Sequence, residues 1–130
     1  MSEPKLRVHR RALLVYLVTE SFKERLQAEL SERIARADGA IEALESMLKA
    51  AGELGGPEAG RLKGERDKLL RSREDAAARL AQINGVAVGS EIVEGSVTID
   101  SEIGVGDSET RLWDAQIVIR EGEIVELRNL

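Results

Sequence analysis

The chain has no cysteine, a single histidine, and one phenylalanine, one tryptophan and one tyrosine among 130 residues. Without cysteine there is no disulfide, thiol nucleophile or thiolate metal site, a usage that fits a reducing compartment such as the bacterial cytoplasm. His9 is the sole imidazole, so only an oxygen-ligand metal site would remain, and no EF-hand spacing of acids is present. Ser90, Ser96, Ser101 and Ser108 lack a second histidine or a suitable lysine nearby in sequence to act as base. Gly104-Val105-Gly106 has too few glycines, and no following helix, for a phosphate loop. These absences lead us to expect no enzyme and no cofactor. The apolar run Ala12 to Val18 is too short for a membrane span and precedes no credible cleavage site, so it reads as a buried strand.

Aliphatic and charged residues are what the chain has in quantity: it is 42% hydrophobic and 33% charged, enough for one small core and a helical extension. The formal net charge of -5 is unevenly spread. Residues 1–18 carry Lys5, Arg7, Arg10 and Arg11 against Glu3, whereas residues 84–130 hold ten acids against Arg111, Arg120 and Arg128. The two ends are therefore electrostatically complementary.

At the start the period is two. Leu6, Val8, Ala12, Leu14 and Tyr16 share one face of a strand, with Arg10 as the exception, and Lys5, Arg7, His9 and Arg11 share the other. Thr19 offers an N-cap, and Ser21 with Glu24 matches a capping box, so the helical period begins there. Phe22, Leu26, Leu30 and Ile34 recur every four residues; Ile34, Ala37, Ile41, Leu44, Leu48 and Ala51 then alternate three and four. A second helix after Pro57 carries the seam Leu62, Arg66, Leu69, Arg73, Ala76, Leu80, Ile83 and ends at Asn84-Gly85. Folding about Gly55 sets Arg66 near Glu45 and Arg73 near Asp38 or Glu42. Gly39 is expected to permit close helix approach or a bend, and Gly60 and Gly64 to weaken the distal turns.

Past Gly85 the period returns to two. Val93, Val97, Ile99, Ile103 and Val105 point one way, with a bulge expected at Gly95, and Trp113, Ala115, Ile117 and Ile119 form the inward face of a further strand. Glu121-Gly122 reads as a tight turn into Glu123 to Arg128. The expected fold is α+β: a long antiparallel coiled-coil helical hairpin (19–84, loop 52–57) inserted into a small four-stranded antiparallel β-sheet or open β-barrel. That β domain is built from 1–18 and 85–130.

This order, with Val88-Gly89-Ser90-Glu91 after the second helix, Gly106-Asp107, and the ending Ile117-Val118-Ile119-Arg120-Glu121-Gly122-Glu123-Ile124-Val125-Glu126, resembles the YlqD family of small bacterial proteins. The resemblance covers nearly the whole length. It implies this architecture and carries over no catalytic residues; it also implies a gene neighbourhood associated with translation.

Two surfaces are candidates for binding. The hairpin is expected to project as an arm and to contact a protein partner through its tip, at Leu48, Glu53, Leu54, Glu58 and Leu62, where little partner helix covers the apolar side chains. In the alternative, Lys5, Arg7, His9 and Arg11 line one strand face and bind RNA or the ribosome, unless the acidic C-terminal strands neutralise them. A homo-oligomer formed through the hairpins or the β edges is a third expectation. No membrane partner is expected.

Overall fold

The computed structural model describes residues 3–51 and 55–130. Its elements run β1 (Lys5–Leu17), α1 (Glu20–Ala51), α2 (Pro57–Asn84), β2 (Glu91–Gly104), a short 3-10 turn (Glu109–Leu112), β3 (Ala115–Arg120) and β4 (Glu123–Arg128). They divide into a β unit, Met1–Phe22 with Ala87–Leu130, and a helical unit, Lys23–Val86.

In the β unit one sheet has the strand order β2-β1-β3-β4. β1 pairs antiparallel with β2 from Lys5↔Gly104 to Leu17↔Glu91. The ladder continues through Val18 N–H to Ser90 O (2.9 Å) and Gly89 N–H to Val18 O (2.7 Å). The register slips between Leu13↔Ser96 and Val15↔Val93. The extra β2 residue lies at Glu94-Gly95, and Gly95 has a φ of 131°, which suits glycine alone. That is the bulge the sequence suggested.

β3 lies parallel to β1, from Ala12↔Ala115 to Tyr16↔Ile119. The sheet is therefore mixed and open, which corrects the all-antiparallel expectation. The reason is the connection between β2 and β3: residues 105–114 do not turn back beside β2 but carry the chain past β1 to its far side, as a parallel pairing requires. β3 and β4 join through Glu121-Gly122, with φ values of 50° and 80° as in a type I′ turn. A second register shift falls between Val118↔Glu126 and Ile119↔Ile124.

The β core is small: Ala12, Val15, Val18, Phe22, Ala115 and Val118 are buried, and the Tyr16 and Phe22 rings stack at 5.4 Å. Trp113, expected in the inward face, is 56% exposed, and Val93, Val97 and Val105 are exposed too. For Trp113 the physical cause is Arg10. Its buried side chain lies on the same face as Ala12, and its guanidinium binds the Trp113 carbonyl at 2.9 Å, which ties the backbone inward and leaves the ring outside.

Thr19 caps α1, its Oγ1 accepting from Phe22 N–H at 3.2 Å. Ser21 does not close a capping box; its hydroxyl donates to Glu121 Oε1 at 2.6 Å, and the Thr19 hydroxyl donates to the same oxygen. Pro57 opens α2, and Gly85 N–H closes it on the carbonyls of Ala81 and Gln82.

The expected helix seams are the covered faces. Leu30, Ala37, Ile41, Leu62, Ala76 and Ile83 are buried, and Ile34, Leu44, Leu48, Leu69 and Leu80 are half-buried. Gln27 Nε2 donates to Asn84 Oδ1 at 2.8 Å, Lys23 Nζ reaches the Asn84 and Val86 carbonyls, and Arg73 binds Asp38. Arg66 departs from expectation: it pairs with Asp67 at 3.4 Å and not with Glu45, and its Nε is buried without a partner. Gly39 meets nothing within 4 Å of a Cβ built on it, so it serves no close approach.

Candidate interaction site

The basic residues of β1 do share one face, but acids of β2 and of the connection before β3 answer them. Lys5 pairs with Glu102 at 3.4 Å, His9 Nδ1 with Asp100 at 2.5 Å, and Arg11 with Asp114 at 2.8 Å, while Arg7 stands opposite Glu102 in the ladder. Opposite charges facing each other across a strand pair stabilise the register modestly and remove the field a polyanion would follow. The result is a neutralised stripe.

At the tip, Glu53 and Leu54 lie outside the described residues. Leu48 is half-buried, and Leu62 is only 2% exposed, which overturns the expectation that it lacks cover. Glu58 binds Arg61 at 2.7 Å, and Arg61 reaches on to Glu65 at 2.7 Å. The hydrogen bond from Arg61, helped by its charge, holds the Glu58 carboxyl below its usual range. This i,i+3 and i,i+4 ladder supports the first turns of α2.

Exposed large apolar side chains collect elsewhere. Apart from Met47 and Leu70, those described belong to the β unit: Leu6, Val88, Val93, Val97, Val105, Leu112, Trp113, Ile124, Val125, Leu127 and Leu130. Part of the set is drawn together by two polar residues. Arg10 Nη1 donates to the Trp113 carbonyl and Nη2 to that of Leu130, while Asn129 Nδ2 donates to the carbonyls of Thr110 (2.7 Å) and Asp114 (3.2 Å). The connection before β3 and the segment after β4 are thereby stitched into one surface bearing Leu112, Trp113 and Leu130.

Open hollows accompany these residues. Pro4, Leu6, Ile103 and Val105 line one of about 500 Å³. Ile103 and Leu112 line another of about 270 Å³. Among the described residues no three His, Asp or Glu side chains converge as a metal site. Sequence reasoning missed this surface because it assigned Trp113 to the core. The available signal was position: Trp113 follows Arg111-Leu112 and precedes Asp114 in turn-rich sequence just before β3.

The family model described as YlqD protein matches residues 6–128. The chain belongs to the YlqD family. A crystal structure of a protein of unknown function from Synechococcus sp. WH 8102 has the same fold, with a TM-score of 0.72 at 22% identity, covering 98% of each chain. No curated protein matches the chain. The match to the family spans all four strands and both helices. Among the described residues no helix is long and apolar enough to cross a membrane.

Proposed function

We propose that the protein is a non-enzymatic interaction protein that contacts a protein partner through the exposed apolar side chains of its β unit. One observation carries this reading: Leu112, Trp113 and Leu130 are between 56% and 58% exposed on a surface that Arg10 and Asn129 hold in place. Exposed aromatic and aliphatic groups on an ordered backbone supply contact area at low entropic cost, which is the composition of interface anchors. The helices serve as scaffold. Their burial pattern, and the order in which Gln27 meets Asn84 and Asp38 meets Arg73, support an antiparallel coiled coil, the left-handed packing that a three-four spacing favours.

The hairpin tip is a weaker candidate because Leu62 is covered and Glu58 is engaged by Arg61. RNA binding by β1 lacks support for the same kind of reason, since Lys5, His9 and Arg11 each face an acid. Capture of partners from cell extract by wild type and by a Leu112→Ser/Trp113→Ser variant tests the proposal. Loss of the specific partner in the variant is expected, and an identical partner profile contradicts it.

A further inference from the structure

β4 is an edge strand, paired with β3 on one side and with no described strand on the other. Its sequence is Glu-Ile-Val-Glu-Leu-Arg over Glu123–Arg128. Ile124, Val125 and Leu127 are 64%, 51% and 50% exposed. Proteins ordinarily blunt such an edge with charge, a bulge or a cover. Both edges carry a bulge, at Gly95 in β2 and at Val125 in β4, but they differ in charge: the charged residues of β2 are all acids, Glu91, Glu94, Asp100 and Glu102, whereas β4 carries both signs in Glu123, Glu126 and Arg128. Two copies of β2 would set these carboxylates against one another.

We propose that β4 pairs antiparallel with β4 of a second copy of this chain, making a continuous eight-stranded sheet. This rests on the interaction-protein reading and names one partner for it. The strand is self-complementary in sequence. A two-fold axis at the middle of the strand sets Ile124 of one copy opposite Leu127 of the other, Glu123 opposite Arg128 and, at the bulge, Val125 opposite Glu126.

The faces agree as well. Ile124 and Leu127 stand opposite Ile119 and Ile117, which lie two apart in β3 and so share a face; Glu123 and Arg128 stand opposite Arg120 and Gln116, on the other face. The apolar pairs of the two copies therefore join on one side of the sheet, continuous with Ile117 and Ile119. The charged pairs join on the other side. Arg128 already directs its donors to Glu91, Glu126 and Gln116, so Glu123 of the second copy adds charge attraction and not a new shared hydrogen bond. The occupancy of this edge is thus driven by backbone pairing and by Ile124 and Leu127.

Sedimentation equilibrium over a wide concentration series, on wild type, Ile124→Lys and Glu123→Arg, tests the proposal. Wild type is expected to approach twice the chain mass. Ile124→Lys should weaken association at least tenfold by placing charge on the apolar face, and Glu123→Arg about twofold to fivefold by opposing Arg128. Both positions are solvent-exposed, and circular dichroism checks that each variant is folded; if Ile124→Lys is not, Glu123→Arg decides. A wild type that stays monomeric, or a dimer that neither substitution weakens, overturns the proposal. A monomer that still captures a protein through Leu112 and Trp113 overturns the second copy and leaves the interaction reading standing.

Discussion

Arg128 grips Glu91 with both terminal nitrogens, Nη1 to Oε1 and Nη2 to Oε2 at 2.8 Å each, and so joins the last strand of the sheet to the first residue of the opposite edge strand. By strand alternation the pair lies on the same face as Val15 and Val118, which are 3% and 1% exposed. An open sheet is thereby held curled over Val15 and Val118. The hydrogen bond from Arg128 draws the Glu91 carboxyl below its usual range, and the guanidinium is pushed upward by the hydrogen bonds of Glu91 and Glu126.

A carboxylate whose folded value is depressed contributes stability that is fully present above its unfolded pKa of about 4.3 and is lost as pH falls through the folded value. Urea unfolding midpoints should therefore decline below about pH 4.5 in wild type. Glu91→Gln should lower the midpoint at neutral pH and flatten that decline. An acid limb of unchanged steepness in Glu91→Gln would show that the pair does not couple to folding.

Leu62 and Trp113 exchange the roles that their sequence positions suggest. Leu62→Ala should cost about 2–5 kcal/mol because it empties a covered site on the helix seam. Trp113→Ser should change stability far less, since its ring is mostly in solvent. Chemical denaturation of the two variants separates these outcomes.

Arg10 is the clamp of the exposed surface. Arg10→Met keeps bulk on the apolar face but leaves the Trp113 and Leu130 carbonyls without their donor, a loss of about 1–3 kcal/mol. Because Trp113 is the sole tryptophan, its emission reports directly on this loop. A shift in the folded-state spectrum is expected in Arg10→Met; an unchanged spectrum and midpoint would remove Arg10 from that role.

Gly39 has open space around it and no positive φ, so Gly39→Ala should stabilise by about 0.5–1 kcal/mol. Gly60→Ala and Gly64→Ala should act in the same direction for the same reason. Thermal melts that fall on any of these substitutions would mean the glycine is needed for packing.

Local pattern made much of this architecture legible. Thr19, Pro57 and Gly85 marked helix ends because capping and missing amides are short-range chemistry, the spacing of four picked out Leu30, and the alternation of three and four picked out Ala37, Ile41, Ala76 and Ile83 as covered positions. Gly95 and Glu121-Gly122 were visible because bulges and tight turns demand unusual backbone angles. The parallel β1–β3 pairing was hidden, since alternation states which face a residue occupies and not which strand lies beside it; the length of 105–114 was the clue. Trp113 and Leu62 were misplaced because exposure depends on what covers a side chain, and neither periodicity nor distance from a helix end specifies that. Arg10 on an apolar face was noticed without its consequence: its partners are backbone carbonyls about a hundred residues away, a relation that no local pattern encodes.

The central claim is that the β unit, and not the hairpin tip, is the surface that binds. It is tested most directly by quantitative partner capture with three forms of the full chain: wild type, Leu112→Ser/Trp113→Ser, and a form with residues 52–57 replaced by a short glycine-serine loop. The loop replacement is expected to retain the wild-type partner and the double substitution to lose it. Retention by the double substitution with loss on loop replacement would contradict the central claim.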